Sequence, residues 1–126
     1  MGLGIMRHNS NQHYTKQLIE YALNNKINYF EACDFYLQNT CEIRLGDALK
    51  QHPRTSYKLC DKLPLSTIPY FIQKDKNWNL EDYFNKQLDK CRTNYFDVYL
   101  IQALDQRNID YLEKYNVISF LQEKKK

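Results

Sequence analysis

The chain has 126 residues, 43% of them hydrophobic, and its 11 Tyr and 6 Phe far outnumber its 3 Gly and 3 Pro. That is one domain's worth of chain, with apolar mass for a single core and a composition that excludes extended disorder. The net charge of +3, with bases and acids interspersed, provides no basic stripe for nucleic acid.

No apolar run approaches the roughly 18 residues of a membrane span, and the first residues, MGLGIMRH, lack the apolar core of a signal peptide. Met6 breaks the N-myristoylation pattern. Cys33, Cys41, Cys60 and Cys91 are scattered, with no C-x-x-C and no paired His. They are expected to be reduced thiols and not metal ligands, in a cytoplasmic protein. The terminal Lys124-Lys125-Lys126 run is expected to be a solvated helix end.

In chain order, Leu3 to Met6 reads as a short strand. From Tyr14, the apolar residues Leu18, Ile19, Ala22 and Leu23 follow helical spacing, closed by Asn24-Asn25. Ile27 to Phe30 reads as a strand. Cys41, Leu45, Ala48 and Leu49 form a second helical stripe, with Thr40 as its cap and Pro53 ending it near Gln51. Tyr57 to Cys60 reads as a strand, and Leu63 to Trp78 as a loop rich in polar residues and prolines. Asn79 is a good N-cap for a helix bearing Asp82 in its first turn and Leu80, Phe84 and Leu88 on one face. Tyr95 to Ile101 is a nearly continuous apolar run, as expected of a strand covered on both faces. Ile109 to Gln122 is again helical in character.

This alternation of strands and helices implies parallel strands and an α/β fold, either a doubly wound sheet or a (β/α) barrel. Gly2 and Gly4 are not followed by a G-x-G-x-x-G turn, which argues against a Rossmann site. In both architectures ligands bind at the carboxyl ends of the strands. The polar residues expected there are Glu31 at the end of the second strand, Tyr36 five residues on, Lys62 at the end of the third and Gln102 at the end of the fourth.

Such a set can perform proton chemistry at a carbonyl. A phenol titrates near 10 when unperturbed, and an adjacent ammonium lowers that value by favouring the phenolate. A carboxylate keeps the lysine charged and oriented, and Gln102 can donate an N–H to an oxygen that gains negative charge. Each residue also has a purely structural reading: Tyr36 as one of many packed tyrosines, Glu31 and Lys62 as an inter-strand ion pair, Gln102 as a loop-backbone partner. Asp34 and Glu42 read as solvated, Cys33 as a small packing residue, and His8, His13 and His52 have no nucleophile to serve.

The stretches GLGIMR, INYFEACDFY with CEIRLGDALK, SYKLCDKLP and LDKCRTNYFDVYLIQAL resemble the successive blocks of the aldo-keto reductases, most closely the bacterial group that often carries a 4Fe-4S C-terminal domain. Asn28, Phe30 and Tyr36 match that family's second-strand motif. The resemblance implies that Tyr36 is the catalytic acid and Lys62 its partner, that Glu31 stands in place of the usual Asp, and that Gln102 stands in place of the usual His. It also implies NADPH as cofactor, a small-molecule carbonyl as substrate, and a partial (half) TIM barrel of parallel (β/α) units, with residues 1–126 as one truncated domain holding the first four β-α units. Most of the family's cofactor contacts lie in later loops, so no cofactor-binding residue is assigned. Four strands covered by helices on one side leave two edges and an inner face open, which favours self-association, with Phe30, Leu59 and Leu100 needing cover. The rival expectation is a non-catalytic half-barrel, a pseudoenzyme or interaction remnant without cofactor.

Overall fold

Four parallel strands lie side by side in chain order, each bonded to its sequence neighbours. The computed structural model describes residues 2–4, 12–32 and 40–125. Within them the elements are β1 (Gly2–Gly4), α1 (Gln12–Asn24), β2 (Tyr29–Glu31), α2 (Cys41–Leu49), β3 (Lys58–Pro64), α3 (Ile68–Lys74), α4 (Leu80–Lys90), β4 (Val98–Gln102), α5 (Tyr111–Lys114) and α6 (Val117–Lys124). Parallel neighbours joined through helices are the units of a partial (β/α) barrel.

Strand alternation decides which side chains meet the helices. Phe30 and Leu59 turn outward and are fully buried with Ile19, Leu45 and Leu49 of α1 and α2. Leu63 does the same in a second cluster with Leu65, Ile68, Tyr83 and Val117. Phe30 and Leu59 therefore need no cover on the inner face, contrary to the sequence expectation. Leu100 does face inward and stays 41% exposed. β4 is thus not covered on both faces, because the strands that would close over it are not among the described residues.

Other elements depart from the sequence pattern for local reasons. The stretch expected to be a loop continues β3 to Pro64 and then forms α3, with Pro69 in its first turn, where the missing N–H costs nothing. Thr40 does not cap α2; its hydroxyl accepts a bond of 2.9 Å from Arg44 Nε. Asn79 does cap α4, accepting from the Asp82 N–H at 2.9 Å and donating back to the Asp82 carboxylate. The last helix is split at Asn116, whose φ of 55 is left-handed. Glu42 is not solvated but 1% exposed, on the same face of α2 as Leu45 and Leu49. Gly46 lets α2 lie against the end of α4, since a Cβ there would sit 2.5 Å from the Lys90 carbonyl oxygen.

The amino-terminal pole is pinned by Arg54 and Asp97. Arg54 bonds Asp97 Oδ2 at 2.9 Å, Thr93 Oγ1 at 2.8 Å and the Tyr95 carbonyl at 2.9 Å, and it lies 3.9 Å from the Tyr95 ring centroid. Asp97 also accepts from the Leu59 N–H at 2.9 Å and pairs with Lys58 at 3.4 Å. Burial raises the Asp97 carboxyl, but the Leu59 N–H, Arg54 and Lys58 outweigh it and hold the group below the ordinary carboxylate value.

The unfolded chain therefore binds a proton at Asp97 at higher pH than the folded chain does. The contribution is complete above the ordinary value of about 4 and is lost as pH falls through the folded value. In urea titrations, Asp97→Asn should cost about 1–3 kcal/mol at neutral pH and reduce the loss of stability on acidification; an unchanged acid slope would count against this clamp.

Candidate active site

The same alternation that buries Phe30 turns Tyr29 and Glu31 to the inner face of β2, and Cys60 and Lys62 to the inner face of β3. The parallel register pairs Glu31 with Cys60 and Lys62 with Leu100. Lys62 and Glu31 consequently meet diagonally from neighbouring strands, with Nζ 3.4 Å from Oε2. The Lys62 side chain is only 15% exposed and that of Glu31 35%, so apolar stems are packed while the charged tips reach the carboxyl-end mouth.

Lys62 does not close its strand as expected; β3 runs on to Pro64, which pairs with Gln102. Gln102 ends β4 on the same face as Lys62, one step nearer the mouth, and is half-buried. Tyr36, like Cys33, Asp34 and His8, lies outside the described residues. Of the four expected site residues, Glu31 and Lys62 are in contact and Gln102 shares their rim.

Tyr29 and Cys60 occupy the same face below the pair. The hydrogen bond to Cys60, together with burial and the Glu31 charge, pushes the Tyr29 phenol well above its ordinary value. Burial raises the Cys60 thiol as well. Both therefore stay protonated at neutral pH. A cavity of about 310 Å³ opens beside Tyr29 and Glu31 over Gly2 and Gly4. A second cavity, of about 850 Å³, lies at the opposite pole, before β3 and β4. Its cations Arg54 and Arg92 are held by Asp97 and Asp47, and it lies away from the carboxyl ends of the strands, where ligands of such folds bind. Among the described residues no group of three His, Cys, Asp or Glu could hold a metal ion.

The helix side fixes Lys62 through its backbone. Gln87 of α4, fully buried, donates from Nε2 to the Lys62 carbonyl at 2.9 Å and to Glu42 Oε1 at 2.8 Å. Its Oε1 accepts from the Tyr99 hydroxyl, and Glu42 Oε2 pairs with Lys90 at 3.2 Å. The Lys62 N–H donates to the buried Asp61 carboxylate at 2.8 Å. Sequence reading missed Gln87 and Glu42. The available signal was spacing: Tyr83, Gln87 and Cys91 recur every four residues, and Glu42 shares a stripe with Leu45 and Leu49. The buried face of α4 is thus centred on Tyr83 and Gln87, and Phe84 and Leu88 flank it half-buried.

Parallel β-α units with a lysine–glutamate pair at the carboxyl ends of the strands define a (β/α)-barrel protein. The chain belongs to the aldo/keto reductase family, whose sequence model matches residues 1–126. An aldo-keto reductase from Bacillus halodurans in its holo form is similar in fold, with a TM-score of 0.69 and 22% identity over 98% of this chain and 42% of that one. One from Klebsiella pneumoniae in complex with NADPH has a TM-score of 0.65 and 16% identity, covering 93% of this chain and 41% of its own. An aldo/keto reductase from Brucella melitensis has a TM-score of 0.63 and 18% identity, over 98% and 44% respectively. The chain therefore spans roughly two-fifths of the length of these structures. No curated protein matches it.

Gln87→Leu removes the buried donor shared by Glu42 and the Lys62 carbonyl. It should cost about 2–4 kcal/mol, read as a lower urea midpoint with an unchanged slope; a loss under about 0.5 kcal/mol, the size of an ordinary surface change, would show that the network is not needed.

Proposed function

We propose that this chain carries the proton-transfer side of an NADPH-dependent aldo-keto reductase site acting on a small-molecule carbonyl, with residues 1–126 as one domain comprising the first four β-α units. The observation that carries this reading is the Lys62–Glu31 pair, a packed cation at the mouth of a fold shared with aldo-keto reductases. Tyr36 is the general acid. The Lys62 ammonium favours its phenolate and so makes the phenol a better proton donor; Glu31 keeps Lys62 charged and directed. Gln102 donates an N–H to the carbonyl oxygen but cannot carry a proton as the family's His could. When bound, NADPH supplies the hydride to the carbonyl carbon, and the oxygen takes its proton from Tyr36.

The residues present fit the reacting end of such a site. Lys62 and Gln102 are donors on one rim, and a Cβ at Gly4 would meet nothing within 4 Å, which leaves room over the inner face. The NADPH complex of the Klebsiella pneumoniae relative supports the choice of cofactor. Cys41, Cys60 and Cys91 are buried thiols outside any disulfide, which fits a reducing compartment such as the cytoplasm, and no helix among the described residues is long and apolar enough to cross a membrane. The open inner face fits self-association. Gln102, which cannot carry a proton, favours the rival reading, a non-catalytic half-barrel.

Titration with NADPH, followed by its fluorescence, separates the two. Saturable binding, with carbonyl-dependent NADPH oxidation that disappears in Tyr36→Phe, is the expected result. No saturation up to millimolar NADPH would assign the chain to the non-catalytic reading.

A further inference from the structure

We infer that Asn108 is a positioning residue for Gln102: its buried amide holds the left-handed turn at Ala103 and thereby fixes the end of β4, on which Gln102 sits. This deepens the proposed reading, in which Gln102 meets the carbonyl oxygen, and rests on it for the catalytic consequence alone. The hold of Asn108 on Gln102 can be read without cofactor or substrate.

Gln102 is the last residue of β4 and pairs in register with Pro64, which has no N–H to give to the ladder. The chain then turns at once, with Ala103 at a φ of 62. Among the described residues, the other non-glycine residues of positive φ are Lys26, Arg92 and Asn116, and each follows the end of a helix, where a left-handed residue is usual. Ala103 instead follows a strand. Its Cβ is strained in that conformation, and it has no polar side chain to compensate. The turn must therefore be held from outside.

Asn108, only 6% exposed, supplies that hold. Its Nδ2 donates to the Ala103 carbonyl at 2.8 Å, and its Oδ1 accepts from the Asp105 N–H at 2.9 Å, so both ends of one amide are spent on the turn. Its backbone is tied as well: its N–H donates to the Asp105 carbonyl at 3.2 Å, and its carbonyl accepts from the Tyr111 N–H of α5 at 3.0 Å. A cavity of about 300 Å³ opens beside Ala103 and Asn108, between them and Ser66, which follows β3. On that side the turn is held by these hydrogen bonds and not by packing.

The effect reaches Gln102 through the backbone. The planar peptide between Gln102 and Ala103 is oriented by ψ of the first residue and φ of the second. If Ala103 relaxes to negative φ, either the loop moves or ψ of Gln102 changes, and the rotamers open to a side chain depend on those backbone angles. A glutamine donates from only one end of its amide, so its use as a donor at a carbonyl oxygen requires a fixed direction.

Side-chain amide NMR of the isotope-labelled chain tests this, with the Gln102 signals assigned by their loss in Gln102→Ala. In Asn108→Ala they should move to the values of a solvent-exposed glutamine; where the parent chain reduces carbonyls, kcat should fall about tenfold or more, with NADPH binding unchanged. Adding Ala103→Gly, which suits a left-handed φ, should restore the urea midpoint but not the amide shifts. That double variant separates positioning from a merely structural role, and it decides the matter if Asn108→Ala alone does not fold. Gln102 signals that are unchanged in a folded Asn108 variant, or that return together with stability in the double variant, would overturn the inference. If the amide shifts occur in a chain that fails the NADPH titration, the catalytic reading is lost and the positioning stands.

Discussion

Lys62 is fixed from both sides of the sheet, and the rest of the molecule is organised around that constraint. On the inner side its ammonium meets Glu31; on the outer side its backbone is held by Gln87 and by the Asp61 carboxylate. A partly exposed ion pair adds at most about 1 kcal/mol to stability. Its value is directional, in a cation held at one place on the mouth. The stability that keeps it there comes from the helix side, where Gln87 ties β3, β4, α2 and α4 into one buried network beside two apolar clusters.

The two faces of the sheet thus have separate tasks. The outer face is dry and complete: Phe30, Leu59 and Leu63 are buried there, and Gly46 allows the helices to pack closely. The inner face is short of apolar side chains, with two glycines on β1, an ion pair across β2 and β3, and Leu100 as its one large exposed hydrophobic residue among the described residues. A face of that kind can remain wet at small cost.

Much of this was legible in the sequence. The alternation of strands and helices gave the parallel α/β order, and Glu31, Lys62 and Gln102 fell on one rim because parallel strands bring their carboxyl ends to one pole. What escaped was polar burial. Glu42 and Gln87 look solvated to a reading that assigns polar residues to the surface, although both sit at core positions of their helices and are buried through mutual hydrogen bonds. Prolines misled in a second way: Pro64 ends a strand and Pro69 begins a helix, where a missing donor is harmless, yet together they resemble a loop. The break at Asn116 depends on a single left-handed residue, which no periodicity reveals.

The central proposal is electrostatic: that the Lys62 ammonium, steadied by Glu31, makes the Tyr36 phenol more acidic. NMR titration of ring-labelled tyrosines, with Tyr36 assigned through Tyr36→Phe, tests it in the folded chain without cofactor or substrate. The account predicts that Tyr36 titrates below the ordinary phenol value of about 10, and that it moves upward in Lys62→Met. A Tyr36 that titrates identically in the two proteins would contradict it.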